Sequence, residues 1–198
     1  NPVTSPIVYA STNDPACQRC AGANSEYSRN REDLTLLEEI ANGTILLFND
    51  EPDERLRVMQ EQLYRLLQED ADLLVNSISL QQFLYDNQWT SLDFIYYAGQ
   101  KLAEGDMEAG GLLLDYWPDE NSNINESYYI YFEWMLQMHE DAEWRPIEEE
   151  VLELTNRCPL THGTIVYAVC NLYNAITGKI NEFQNNCEGH VGRGINKD

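Results

Sequence analysis

Apolar residues recur every three or four positions along most of this chain, which is the period of a helix with one buried face. The pattern begins at Leu34, just after acidic residues that suit a first helical turn, and Gly43 ends it. A long second helix is predicted from Pro52, because proline fits the first helical position, and its apolar face continues to about Gln68.

Six more helices are predicted from the same period and from the Gly and Pro residues that interrupt it. Their approximate bounds are Leu80 to Asn87, Thr90 to Gly105, Asp106 to Pro118, Tyr128 to Met138, Pro146 to Cys158 and Gly163 to Gly178. About eight helices with short links predict an all-α fold of antiparallel hairpins, either a tetratricopeptide-like array or an irregular bundle. The side chains expected in the core include Leu92, Ile95, Leu113, Phe132, Ile147, Leu154, Val166 and Leu172.

The two helices on either side of Gly105 carry the most informative pattern. The first opens with the capping signature Thr90-Ser91-Leu92-Asp93, small residues such as Ala109 permit close packing, and Gly105 with Asp106 permits a tight reversal. The pair looks like a tetratricopeptide-type hairpin, which stacks on neighbours and offers a concave peptide-binding surface. Ordinary helix packing explains the same residues and is favoured, because one weak repeat is common in helical domains.

Composition divides the chain into three parts. Residues 1–28 hold three of the seven prolines together with Cys17 and Cys20, and they show no sustained apolar period, so an extended arm or linker is predicted. Residues 29–187 are expected to form a single helical domain. Residues 188–198, rich in Gly, Asn and Lys, are expected to be a C-terminal linker.

The charge of the chain excludes some partners. It carries 34 Asp and Glu against 12 Lys and Arg, a net charge of −22. Nucleic acid is excluded as a partner, because Lys and Arg are needed to neutralise phosphates, and an anionic membrane surface is excluded by the same sign. No apolar run approaches the roughly 18 residues of a transmembrane helix, so no direct membrane insertion is expected.

Candidate catalytic and metal-binding residues fall short of a site. His139-Glu140 resembles the start of a zinc-protease helix, but Glu143 stands where the second His is needed. His162 and His190 lie beside glycines without a paired nucleophile. We therefore expect no catalytic residue, no cofactor and no enzyme activity.

A calcium site is the remaining metal hypothesis. Residues 119–125 present oxygen-bearing side chains at alternate positions, as the opening of a calcium loop does. The loop glycine is missing and Ile130 stands where a closing Glu is required, so an EF-hand is not supported. A looser, weak calcium site stays open.

A family resemblance covers residues 90–187, about half of the chain. It is carried by Gly105-Asp106 with Ala109, by Asn125 through Phe132, by Glu148 through Asn156 followed by Cys158-Pro159, by Gly163 with Val166-Tyr167, and by Leu172-Tyr173 with Cys187. These motifs resemble the helical region that precedes the sorting domain in large surface proteins exported by the bacterial type IX secretion system. The resemblance implies export and a structural or connecting role, and it implies no activity. Since no sorting domain follows Cys187, a fragment or processed product is expected.

The five cysteines fit an oxidising compartment better than a zinc site, because Cys17 and Cys20 have no second pair of that spacing. Cys158 ends one predicted helix and Cys187 follows the next, so an antiparallel hairpin brings them within disulfide distance. A Cys158 to Cys187 disulfide is predicted, with Cys17 paired to Cys20 and Cys170 packed as a small hydrophobe with a free thiol. The rival pairing joins Cys170 to Cys187.

The functional hypothesis is an extracellular, non-catalytic structural, assembly or interaction module of a type IX secreted surface protein. Its partners would be other protein segments or copies of the same surface protein. The alternative is a ligand-binding module that holds a peptide or glycan in a groove between helix pairs.

Overall fold

The computed structural model describes residues 31–45, 52–178 and 187. Within these residues it holds nine α-helices, one short 3₁₀ helix at Ala71–Leu74 and no strand, so the predicted all-α fold is confirmed. The helices are α1 (Arg31–Ala41), α2 (Pro52–Glu69), α3 (Ile78–Asp86), α4 (Ser91–Glu104), α5 (Met107–Asp115), α6 (Asn123–Glu140), α7 (Glu148–Thr155), α8 (Pro159–His162) and α9 (Ile165–Thr177).

The helix ends follow the local signals in the sequence. Helix α2 begins at Pro52, as predicted, and α4 and α9 end where Gly105 and Gly178 adopt the left-handed conformation. Two short elements were not predicted, the 3₁₀ helix and α8, because four residues are too few to show a period.

The chain forms two compact units. The first contains the described residues 31–45 and 62–118, and the second contains 52–61, 119–178 and 187. Helix α2 therefore contributes residues to both. The predicted single domain over residues 29–187 stays a prediction, and the arm at 1–28 and the linker at 188–198 lie outside the described residues.

In the first unit, α1 packs on α3 and α4 packs along α5. The aromatic centre of this core is Tyr64 of α2, whose ring meets Phe83 and Tyr96 edge to face at centroid distances of 6.5 and 6.3 Å. At the N-terminus of α3, the Ser77 hydroxyl donates to Glu38 of α1 at 2.5 Å and accepts from the Leu80 backbone N–H. This serine thus caps α3 and ties it to α1.

In the second unit, α9 packs against α7 and also contacts α6 and α8. Its core joins Trp134 of α6, Val151 and Leu154 of α7, and Val169 and Tyr173 of α9. The aromatic helix predicted from Tyr128 onward is therefore partly a core element.

Some burial predictions are wrong. Leu113 and Leu172 are half-buried, whereas Leu114 and Tyr173, one position later in each helix, face the core. Ile147 was expected inward but is exposed, because α7 begins only at Glu148 and Ile147 precedes its first turn. A shift of one residue rotates a helix position by about 100°, which is enough to move a side chain from the core to its margin.

Candidate interaction surface

The reversal between α4 and α5 is built by the three predicted turn residues. Gly105 has φ +80°, and its N–H donates to the Leu102 carbonyl at 3.1 Å, while the Asp106 N–H donates to the Lys101 carbonyl at 2.9 Å. The Asp106 side chain then accepts the Ala109 N–H at 3.2 Å and caps α5. Gly105, Asp106 and Ala109 thus come together at one turn, while their membership in a peptide-binding repeat stays a prediction.

Helices α4 and α5 approach closely because Gly110 has no side chain. A Cβ atom at Gly110 would lie 2.7 Å from Cδ2 of Leu102, which is itself buried. Because Gly110 has no side chain, the Leu102 side chain of α4 can pack directly on the α5 backbone at this position. This close contact packs the two helices of the hairpin tightly against each other.

The same hairpin leaves large apolar side chains in water. Leu112 and Tyr116 are 55% and 75% exposed, and Tyr97 of α4 is partly exposed as well. Exposed tyrosine on a rigid helical support is typical of protein-binding surfaces, because its ring supplies contact area at a low cost in side-chain entropy. We call Leu112 and Tyr116 the α5 surface.

A strained loop between α3 and α4 presents a second aromatic residue. Trp89 has φ +65° and, among the residues the structure describes, is the one non-glycine residue with positive φ. Such a backbone costs roughly 1–3 kcal/mol and persists only where surrounding contacts hold it. The indole gains no compensating burial, since it is 79% exposed. The loop therefore holds a tryptophan in solvent at an energetic cost.

Asp93 of α4 is the residue that braces this loop. Its Oδ2 accepts the Trp89 backbone N–H at 2.9 Å, and its Oδ1 accepts the hydroxyl of the buried Tyr64 at 2.6 Å. Burial, and then the hydrogen bond and charge of Asp93, raise the pKa of Tyr64 well above its ordinary value. The Tyr64 hydroxyl therefore stays protonated and remains a donor.

The capping prediction at Thr90 is wrong in its detail. Helix α4 does begin after Thr90, but the threonine side chain makes no capping bond and instead donates to the Asn87 carbonyl at 2.8 Å. The carboxylate of Asp93, the last residue of that signature, accepts from the Trp89 backbone N–H. Sequence reasoning missed Trp89, although a lone aromatic residue within the polar link 87–90 was a usable signal.

The predicted disulfide between Cys158 and Cys187 is confirmed. Their Cα atoms lie 4.7 Å apart across a sequence separation of 29 residues, and the rival pairing of Cys170 with Cys187 is wrong. Cys170 carries a free thiol and is half-buried in α9. Burial raises the pKa of this thiol to about 11, so its thiolate is scarce at neutral pH. Cys17 and Cys20 lie outside the described residues.

Residues 119–125, considered for calcium, act as a helix start and polar junction. The Ser122 hydroxyl accepts the Asn125 N–H at 3.2 Å, and the Asn125 amide donates to the Glu120 carbonyl at 2.8 Å. Glu120 also pairs with Arg57, and Glu54 accepts the Asn123 N–H. These oxygens stabilise the N-terminus of α6 and its contact with α2, and the weak calcium site stays a prediction.

A buried polar contact lies deeper in the second unit. Tyr128 of α6 donates its hydroxyl to Oε1 of Glu61 at 3.3 Å, and the same hydroxyl lies 3.0 Å from that of Thr164. Glu61 is only 3% exposed, so its hydrogen bonds offset part of the cost of burying a carboxylate. This contact orients the Tyr128 ring.

The histidines of the described segments are His139 and His162. His139 is exposed near the end of α6, and the His162 Nδ1 lies 2.9 Å from the Thr161 hydroxyl. Across residues 31–45, 52–178 and 187, no three His, Cys, Asp or Glu side chains are grouped to hold a metal ion. No helix in these ranges is long and apolar enough to cross a bilayer. His190 lies outside them.

Comparison with family models, curated proteins and solved structures finds no match to this chain. The resemblance to type IX secreted surface proteins therefore stays a prediction.

Proposed function

We propose that this chain is a non-catalytic interaction module of an exported bacterial surface protein of the type IX secreted kind. The α4–α5 hairpin would hold other protein segments against the α5 surface. The observation that carries the proposal is the exposure of Leu112 on α5 and of Tyr116 at its C-terminal end, on a helix that packs closely against α4 at Gly110 and follows the Gly105 turn.

Export is supported by the Cys158 to Cys187 disulfide. Disulfides persist in oxidising compartments and are rare in cytosolic proteins, where thiols are kept reduced. Differential alkylation of the protein recovered from the cells that make it tests this part. We expect a protected Cys158 and Cys187 in the exported fraction. Two alkylated thiols, with the protein retained in the cytosol, would overturn the assigned compartment.

The interaction role is tested by adding the labelled full chain to the cells that export it and measuring saturable surface binding. Loss of an anchoring aromatic residue costs at least about 1–2 kcal/mol, so Leu112→Ser with Tyr116→Ser should weaken binding roughly tenfold. Tyr167→Ser is the matched control, because Tyr167 is an exposed tyrosine of the second unit, 42% exposed on α9.

Sedimentation velocity of the same proteins separates the two kinds of partner. Association that depends on Leu112 and Tyr116 would identify copies of this chain, whereas surface binding by a monomer would identify other protein segments. A chain that is monomeric and shows no saturable binding to these cells contradicts the proposed function. Equal loss in the Tyr167 control would contradict the assignment of the α5 surface.

A further inference from the structure

The Trp89 loop is a second exposed feature of the first unit, made of residues other than those of the α5 surface. Asp93, itself hydrogen-bonded to Tyr64, holds the Trp89 backbone, and both Trp89 and Tyr85, near the end of α3, are largely exposed. Monomeric proteins seldom hold tryptophan in solvent, and a strained backbone that does so indicates function rather than stability. An aromatic anchor on a braced loop is suited to contact a partner.

The electrostatics of this loop favour a positively charged partner. Helix α3 ends at Asp86, so the negative end of its dipole and the Asp86 carboxylate both lie just before the loop. Gln82 donates to Oδ1 of Asp86 at 2.6 Å, which restrains the carboxylate. Residues 66–100 contain no Lys, Arg or His, and their acidic residues are Glu69, Asp70, Asp72, Asp86 and Asp93.

We propose that Trp89, together with Asp86, docks an arginine-bearing segment of a partner protein. The guanidinium would stack on the indole face, which is the aromatic surface most attractive to a cation, while Asp86 pairs with the same or a neighbouring arginine. This inference rests on the proposed interaction function and gives the chemistry of one partner.

The chain's own charge disfavours the other occupants. A second copy would bring another net charge of −22 toward the loop, and the two molecules would repel each other. A neutral glycan would also stack on tryptophan, but it would gain nothing from the negative potential around Asp86. An arginine-bearing segment uses both the ring and the charge.

The test is calorimetric titration of the full chain with a peptide of alternating arginine and glycine. Its control peptide carries citrulline, the neutral counterpart of arginine, at the same positions. We expect Trp89→Leu to raise the dissociation constant roughly 2- to 5-fold, since leucine keeps an apolar side chain without a ring. Trp89→Phe should give an intermediate value, and added salt should weaken binding by the wild-type chain.

Matched variants elsewhere in the chain separate this site from diffuse attraction. Asp86→Asn should weaken binding about 2-fold, whereas Asp115→Asn and Tyr167→Leu should leave it unchanged, because Asp115 is exposed on α5 and Tyr167 is exposed on α9 of the second unit. Far-ultraviolet circular dichroism confirms that each variant is folded.

Four results would overturn the inference: equal loss in Asp115→Asn and Asp86→Asn, no effect of Trp89→Leu, equal affinity for the citrulline peptide, or binding to a glycan array that depends on Trp89. If the arginine-peptide test fails but cell-surface binding still depends on Leu112 and Tyr116, the proposed function stands. Failure of both would remove the proposed function as well.

Discussion

Replacing Gly163 with alanine should destabilise the second unit far more than replacing Gly178. Gly163 has φ +88° and ψ 167°, a region open almost only to glycine, at a cost of about 1–3 kcal/mol for other residues. A Cβ atom there would also lie 2.9 Å from Cε2 of Tyr128 and 3.0 Å from Cγ1 of Ile124. Both neighbours are buried, and overpacking of this kind costs about 1–3 kcal/mol.

The Tyr128 ring cannot simply swing away, because its hydroxyl contacts Glu61 and Thr164. Strain and overpacking together predict a loss of about 2–6 kcal/mol in the free energy of unfolding for Gly163→Ala. This loss is a large share of the roughly 5–15 kcal/mol that stabilises a typical domain.

Urea unfolding followed by circular dichroism measures this loss. Gly178→Ala is the matched control in the same unit, since Gly178 has φ +66° with no atom within 4 Å of a Cβ, and strain alone should cost about 1–2 kcal/mol. Tyr128→Phe combined with Gly163→Ala should lose less than the sum of the two single variants, because the released ring can move. The reasoning is refuted if Gly163→Ala is no more harmful than Gly178→Ala.

Four further predictions follow from the caps, the cysteines and the charge. Asp106→Ala should lower the free energy of unfolding by about 1 kcal/mol and Asp106→Ser should restore most of it; no loss in the alanine variant contradicts the α5 cap. Cys158→Ser should cost about 3.5 kcal/mol in urea unfolding, from closure of the loop spanning 29 residues, and an unchanged midpoint contradicts this. Alkylation of Cys170 in the folded protein should be slow at neutral pH and accelerate toward pH 11. The stability that the buried Cys170 thiol contributes should be present below about pH 9 and disappear as the pH rises toward 11, because the unfolded chain releases this proton first. The melting temperature should rise with added salt, since screening reduces the self-repulsion of a chain of net charge −22; no rise between low and physiological ionic strength would show that the acidic groups are already compensated.

The sequence by itself determined eight of the nine described α-helices, because a helix is specified by neighbours three and four residues apart and by its own ends. Pro52 begins α2, Gly105 and Gly178 end α4 and α9, and Asp106 caps α5, each through contacts within a few residues. The Cys158 to Cys187 disulfide was also predicted correctly, but it joins residues 29 positions apart, so the pairing itself is set by the tertiary structure.

The tertiary structure alone decided what depends on residues far apart in sequence. The Asp93 carboxylate was available to Thr90 by local rules, yet it receives the hydroxyl of Tyr64, 29 residues away, and thereby braces the loop that exposes Trp89. The choice of Leu114 over Leu113 for the core likewise depends on how α5 lies against α4, which the period of a nine-residue helix leaves uncertain by one position. Side-chain exposure and long-range hydrogen bonds are set by packing between elements, and local sequence patterns do not specify which element each helix face packs against.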